Sequence, residues 1–122
     1  MSTVLIVEDN DKNMKLARVV LQAKGYQTLQ AITGEDGVKL AKERKPDLVL
    51  MDIQLPGING IEAFRRIRGD AATRAIPVVA LTASVTPTDR SAISAAGFDA
   101  FISKPINLKE FLDTVRRLVE KK

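Results

Sequence analysis

The segment "LVLMDIQLPGING", residues 48 to 60, contains the pattern that decides the fold of this chain. Four consecutive apolar residues lead directly into Asp52, after which Pro56, Gly57 and Gly60 interrupt the chain. A short apolar run bounded by turn residues is typical of a strand buried on both faces of a parallel sheet. Because burial disfavours a charged side chain, an acid at the end of such a strand needs a reason. It either forms the turn that follows or belongs to a polar site.

Four more apolar runs of strand length lie along the 122-residue chain, at residues 3–7, 26–31, 77–81 and 99–103. Segments of helix length separate the runs. The last helical segment has the clearest apolar stripe, formed by Leu108, Phe111, Leu112, Val115 and Val119. Five strands that alternate with five helices predict an α/β fold in which a parallel sheet has helices on both faces.

The polarity of the strands predicts their order in the sheet. The first, third and fourth runs are apolar at every interior position, as expected for central strands. The second run contains Gln27, Thr28 and Gln30, and the fifth run is short, which indicates two edge strands. The predicted order is therefore 2-1-3-4-5, the doubly wound arrangement of flavodoxin-like folds.

The composition excludes several classes of chemistry. The chain has no cysteine and no histidine, which rules out thiol nucleophiles, disulfides, zinc sites of the Cys/His type and Ser-His-Asp triads. The formal net charge is +4, but the basic stretches at 64–69 and 116–122 lie on amphipathic segments without a nucleic-acid-binding motif. No transmembrane run or signal peptide is visible. We expect one cytoplasmic domain, residues 1–122, that binds neither nucleic acid nor membrane.

Polar side chains follow four of the five predicted strands. They are Glu8 and Asp9 after the first, Asp52 after the third, Thr82 after the fourth and Lys104 after the fifth. The carboxyl ends of parallel strands share one edge of a sheet, so we expect these side chains to lie close together. Each has an ordinary explanation by itself, as a helix N-terminal acid or a turn residue. Three adjacent carboxylates, however, repel one another unless a cation lies between them.

This group of side chains suits a metal ion and a phosphoryl group. Carboxylates with water and a main-chain carbonyl are the ligands of a hard ion such as Mg²⁺. A carboxylate can also attack phosphorus and form an aspartyl phosphate, and Asp52 is the best candidate because it ends the most buried strand. The phosphoryl oxygens need fixed cations or donors. Lys104, the Thr82 hydroxyl and the Ala83 backbone N–H can supply them.

Four motifs, taken together, are specific to one family. They are "VEDN" at 7–10, the opening segment at 48–60, "ALTA" at 80–83 and "FISKP" at 101–105. In this order and at this spacing the chain resembles the receiver domain of bacterial two-component response regulators, over essentially its whole length. The resemblance implies the 2-1-3-4-5 fold and a signalling protein that is phosphorylated by its own catalysis.

The resemblance also implies how the acids act. Asp52 would accept phosphate from a histidine kinase or a histidine phosphotransfer protein. Mg²⁺, or Mn²⁺ in its place, would be bound by Asp9, Asp52 and the main-chain oxygen of Gln54, with Glu8 acting through water. Many family members have two aspartates where this chain has Glu8 and Asp9, and glutamate is a frequent variant.

By the same resemblance, the remaining motif residues hold phosphate and switch the domain. Lys104, Thr82 and the Ala83 N–H would contact the phosphoryl group, and a cis bond before Pro105 would direct the lysine into the site. Thr82 would move toward the phosphoryl group while Phe101 turns inward. Plain core packing is the other explanation for Phe101. The switch would alter a surface formed by the fourth helix, the fifth strand and the fifth helix, which a downstream protein partner recognises.

No output domain is predicted after the last helix. The chain therefore resembles stand-alone receivers of the DivK kind, although receivers fused to hybrid kinases share the same motifs. An Asp-dependent phosphatase of the haloacid dehalogenase type is the alternative, but there the nucleophile ends the first strand. A flavin-binding module on the same fold needs a hydroxyl- and glycine-rich loop where this chain has "EDNDKN".

Overall fold

The computed structural model describes residues 2–83, 87–104 and 106–120, apart from the side chain of Asp89. Strands and helices alternate throughout these residues. The strands are β1 (Thr3–Val7), β2 (Gln27–Ala31), β3 (Leu48–Asp52), β4 (Val78–Thr82) and β5 (Ala100–Ser103). The helices are α1 (Asp11–Ala23), α2 (Gly34–Arg44), α3 (Gly60–Arg68), α4 (Pro87–Ala96) and α5 (Leu108–Glu120).

The five strands form one parallel sheet in the order β2-β1-β3-β4-β5, which confirms the predicted topology. Every residue of β3 and β4 is buried, whereas β2 is partly exposed, as the polarity of the strands indicated. The register pairs Asp52 with Leu81 and Thr82 with Ser103. The carboxyl ends of the central strands therefore lie side by side.

Two apolar clusters cover the two faces of the sheet. One packs α1 and α5 against residues such as Ile6, Leu50 and Leu81. The other packs α2 and α3 against alternate residues of the same strands, including Met51 and Val78. Successive residues of a strand point to opposite faces, so this double burial accounts for the uninterrupted apolar runs. None of the described helices is long and apolar enough to cross a membrane.

The predicted apolar stripe of α5 is only partly correct. Phe111 and Val115 are buried, but Leu108 is 46% exposed and Leu118 is buried in its place near the end of the helix. Leu108 is the first residue of α5. The first residue of the helix is thus largely accessible to solvent, although its spacing matches that of the buried residues.

Side-chain caps fix the helix starts that border the carboxyl edge of the sheet. The side-chain oxygen of Asn10 accepts a hydrogen bond from Asn13 N at 3.0 Å, and Asn59 caps α3 through Glu62 N at 2.9 Å. Such caps satisfy backbone N–H groups that lack a partner in the first turn. They also determine where the loops after β1 and β3 end.

Gly60 allows α3 to begin directly against the backbone of Asp52. A Cβ atom at this position would overlap the Asp52 carbonyl oxygen and would lie 2.8 Å from the Cα of Ile53. The Gly60 N–H donates to the Ile53 carbonyl at 2.9 Å. Any larger residue would therefore push apart the helix start and the end of β3.

Candidate functional site

Three carboxylates meet at the carboxyl edge of the sheet. Glu8 and Asp9 directly follow β1, and Asp52 is the last residue of β3. One oxygen from each of the three side chains lies within 4.8 Å of the others. Glu8 and Asp52 are buried, with 1% and 3% of their surface exposed, whereas Asp9 is exposed. The site therefore has a buried floor formed by two acids and an opening to solvent at the third.

Lys104 lies between the two buried acids. Its Nζ is 2.6 Å from Oε1 of Glu8 and 3.1 Å from Oδ2 of Asp52. The ammonium group is itself largely shielded, with 14% of the side chain exposed. The sequence indicated that Lys104 could offset the repulsion between the acids, but it assigned the lysine chiefly to the phosphoryl group. In this structure Lys104 is the counter-ion of both Glu8 and Asp52.

Glu8 is held in an environment that favours its neutral form. Burial and the neighbouring carboxylate of Asp52 raise the pKa of Glu8 to about 7, against the opposing effect of Lys104. Oε2 accepts a hydrogen bond from Asn10 N at 3.3 Å. Among the described residues, Oε1 has no aligned hydrogen-bond donor, although Lys104 lies beside it as an ion pair. Oε1 is thus a buried oxygen with capacity for one more ligand.

The ion pairs have the opposite effect on Lys104. Burial lowers the pKa of its ammonium group, but Glu8 and Asp52 outweigh that effect and raise the pKa above its usual value. Lys104 therefore stays protonated throughout the neutral pH range. Its backbone N–H donates to the carbonyl of Thr82 at 2.7 Å, which fixes the lysine beside the end of β4.

Asp52 combines both roles that the sequence left open. Its Oδ1 accepts a hydrogen bond from Gln54 N at 3.0 Å, which is the contact of a turn-forming aspartate. Its Oδ2 faces Lys104. One oxygen thus orients the side chain while the other contacts the cation in the site.

Of the predicted phosphate ligands Thr82 and Ala83, Thr82 borders an open cleft. Thr82 is buried at the end of the strand, and Ala83 follows it as an exposed residue. The cleft encloses about 320 Å³. It is lined by Ile53, Gln54, Asn59, Ile61, Thr82, Ala92 and Ile93.

Phe101 and Pro105 are two of the predicted switch residues, and the structure describes only Phe101 of the two. Phe101, in β5, is 38% exposed, and the guanidinium carbon of Arg90 lies 5.2 Å from the centre of its ring. Arg90 was not found from the sequence because no periodicity connects α4 to a particular residue of β5. Pro105 is outside the described residues, so its cis bond remains a prediction.

Comparison with known proteins identifies the family. The family model for the response regulator receiver domain matches residues 4–116. This chain belongs to the response regulator receiver family. The receiver motifs that carried the resemblance all fall within the matched residues.

Two groups of relatives support the same assignment. The polar-differentiation response regulators DivK of Brucella anthropi and Brucella ovis are 44% identical to this receiver over 114 residues, which is 93% of both chains in each comparison. At this coverage the chain is a DivK-like receiver. The haloacid dehalogenase alternative has no support from these relatives.

Solved receiver structures share the fold. The receiver domain of a sensor histidine kinase from Pseudomonas aeruginosa, with a magnesium ion coordinated in its active-site cleft, superposes with a TM-score of 0.91 at 31% identity and covers 98% of each chain. The chemotaxis protein CheY4 of Vibrio cholerae superposes with a TM-score of 0.89 at 25% identity, over 97% of this chain and 98% of its own. The flavodoxin-like prediction is thereby confirmed, and this chain is a signalling protein of the response regulator class.

Proposed function

We propose that this receiver catalyses its own phosphorylation on Asp52, using a histidine kinase or a histidine phosphotransfer protein as the donor. The observation that carries the proposal is the geometry around Oδ2 of Asp52, which faces Lys104 at the buried floor of an acidic site. An Asp52 oxygen attacks the phosphorus, and the bond from phosphorus to the donor's imidazole nitrogen breaks. The imidazole leaves and takes up a proton, and an acyl phosphate remains on Asp52.

The carboxylate cluster fits Mg²⁺. Hard divalent ions prefer oxygen ligands, and Glu8, Asp9 and Asp52 each offer one oxygen within the same small volume. The extra capacity of Glu8 Oε1 supports the fit. Asp9, Asp52 and the Gln54 main-chain oxygen would hold the ion, with Glu8 acting through water. When bound, Mg²⁺ supplies the positive charge that offsets the carboxylates and the incoming phosphoryl oxygens.

Residues of β4 and β5 would stabilise the phosphoryl group once it is attached. Lys104 is already directed at Asp52, so it can contact a phosphoryl oxygen with little rearrangement. The Thr82 hydroxyl and the Ala83 N–H would donate to the other oxygens. Thr82 is linked to Lys104 through the backbone, which would couple any movement of Thr82 to the lysine.

The same movement would switch a partner surface. As Thr82 approaches the phosphoryl group, Phe101 would turn from its exposed position toward the sheet. This change would reshape the surface formed by α4, β5 and α5, where a downstream protein binds. Pro105 would help to set the direction of Lys104.

A labelling experiment tests the proposal. Incubation with Mg²⁺ and either acetyl phosphate or a phosphorylated histidine phosphotransfer protein is expected to add one phosphoryl group per chain, measured by intact-protein mass spectrometry. The group should be released by hydroxylamine, as an acyl phosphate is. Sustained hydrolysis of small phosphate esters without a stoichiometric labelled species would instead indicate a phosphatase.

The pKa of Glu8 predicts how Mg²⁺ affinity depends on pH. Since Glu8 has a pKa of about 7, the ion must displace its proton below neutral pH. We expect the affinity to fall by up to about tenfold per pH unit below about pH 7 and to level off above it. Isothermal titration calorimetry in two buffers of different ionisation enthalpy measures both the affinity and the protons released.

The matched control for this measurement is Glu8→Gln. This variant has no carboxyl group to titrate at position 8, so its weaker Mg²⁺ affinity should change little between about pH 6 and about pH 8. An equally steep pH dependence in the variant would assign the proton to another group.

A further inference from the structure

Phe101 is placed on the face of the sheet that α4 covers. Its neighbour Ile102 belongs to the apolar cluster beneath α1 and α5. Because side chains alternate along a strand, Phe101 projects toward the opposite face. The register sets it beside Ala80 of β4, whose side chain is small.

Arg90 is the described cation that contacts this ring. Its guanidinium carbon lies 5.2 Å from the ring centre, within the distance at which a cation is attracted to an aromatic face. Arg90 is exposed and Phe101 is 38% exposed. The contact therefore holds the ring at the protein surface, between α4 and β5.

The described side chains of α4 are mostly exposed. Among the α4 residues whose side chains are described, Ile93 is buried and Ala96 is partly buried, while the remaining residues are exposed. Arg90 lies one helical turn before Ile93, on the neighbouring part of the helix surface. Among the described residues, the contact between Arg90 and Phe101 is one that joins this helix to β5.

We propose that Arg90 is a positioning residue that holds Phe101 in the outward position and thereby opposes the phosphorylated conformation. This inference rests on the proposed function, in which Phe101 turns inward when Asp52 carries a phosphoryl group. To turn inward, the ring must leave Arg90. Removing the guanidinium group therefore favours the inward position even before phosphorylation.

The preference of Phe101 for the inward or the outward position can be measured through the affinity of a ligand that binds at Asp52. A ligand that favours the inward position binds more tightly when that position is already more populated. An exposed cation–π contact changes such an equilibrium by roughly two- to five-fold. Beryllium fluoride, which imitates a phosphoryl group on a carboxylate, is a suitable probe because it binds reversibly.

The experiment titrates the full chain with beryllium fluoride in saturating Mg²⁺, followed by backbone amide chemical shifts. Arg90→Ala is expected to lower the half-saturating concentration by roughly two- to five-fold. Arg44→Ala is the matched control, because it removes another exposed arginine, at the end of α2. Loss of a positive charge alone weakens the binding of an anion, so a gain in affinity has the opposite sign to the charge effect.

Two further variants separate positioning from a general effect on α4. Arg90→Lys retains a cation for the ring and should stay closer to the wild type than Arg90→Ala does. In a Phe101→Leu background there is no aromatic face, so Arg90→Ala should change the affinity no more than Arg44→Ala does.

The outcomes distinguish the inference from the proposed function. If wild-type protein binds the probe and Arg90→Ala behaves like Arg44→Ala, the positioning role is wrong and the proposed function stands. An equal effect of Arg90→Ala with and without the Phe101 ring also overturns the positioning role. Failure of the wild-type protein to bind the probe at all overturns the proposed function and this inference together.

Discussion

We expect the Asp52→Asn variant to lose all incorporation of phosphate from acetyl phosphate or a phosphohistidine donor. An amide oxygen is a far weaker nucleophile than a carboxylate and cannot form the acyl phosphate. The substitution preserves the shape of the side chain and an oxygen that can accept from Gln54 N. The loss should therefore arise from chemistry with the fold intact. Intact-protein mass spectrometry measures the incorporation, and circular dichroism checks the fold.

Asp113→Asn is the matched control for this variant. Asp113 lies on the exposed face of α5, with 57% of its side chain exposed and a long contact of 3.8 Å to Arg116. Its substitution removes the same charge far from the site and should leave labelling unchanged. Hydroxylamine-labile phosphate on a folded Asp52→Asn protein would show that another residue is the acceptor.

A large loss of stability is expected when Lys104 is replaced by an uncharged residue. At about pH 8 without Mg²⁺, Lys104→Met should lower the free energy of unfolding by about 3–5 kcal/mol, because it leaves Glu8 and Asp52 buried without their counter-ion. Both acids lie within 3.1 Å of the lysine Nζ. Urea denaturation followed by circular dichroism measures the change. Lys109→Met, at an exposed position of α5, is the control for loss of a surface charge.

The pKa of Glu8 determines how the free energy of unfolding changes with pH. Its pKa is raised to about 7 in the folded protein, so the folded state binds more protons than the unfolded state between about pH 4.5 and about pH 7. In the wild type the contribution of Glu8 to stability is present below that range and is lost as the pH rises through it. The Lys104→Met defect should therefore be smaller at about pH 5, where Glu8 is protonated.

Either of two changes should restore stability to the Lys104→Met variant. Glu8→Gln in the Lys104→Met background removes one of the unpaired charges, and saturating Mg²⁺ supplies a replacement cation. Each should recover a large part of the lost free energy of unfolding. If neither does, the lysine stabilises the fold through packing of its methylene groups and its charge is unimportant.

Most of the fold could be predicted from the polarity of the individual strands. The polar residues Gln27, Thr28 and Gln30 identified β2 as an edge strand. Because sites in parallel sheets form at the carboxyl ends of the strands, the acids, the threonine and the lysine could be assigned to one group. The α5 stripe was less reliable. Helical spacing indicates which side chains share a face but not how deeply each one is covered, so Leu108 was expected in the core and Leu118 was missed.

The site could be predicted as a set of residues but not as a set of contacts. The sequence left open whether Asp52 forms a turn or belongs to a polar site, whereas in the structure one oxygen accepts from Gln54 N and the other contacts Lys104. Lys104 could be placed near the acids, but its simultaneous contact with Glu8 and Asp52 depends on side-chain geometry. The contact between Arg90 and Phe101 joins a helix to a strand across the fold, and no local pattern encodes such a pair.

The close approach of Gly60 to the backbone of Asp52 has a mechanical consequence. With Gly60 against the Asp52 carbonyl and bonded to Ile53, α3 and the end of β3 act as one stiff support. On the other side of the site, α4 is held by Ile93 and a surface contact. We therefore expect a displacement that begins at Asp52 to move α4 more readily than α3. If Asp52 carries a phosphoryl group as proposed, the resulting movement would be directed toward α4.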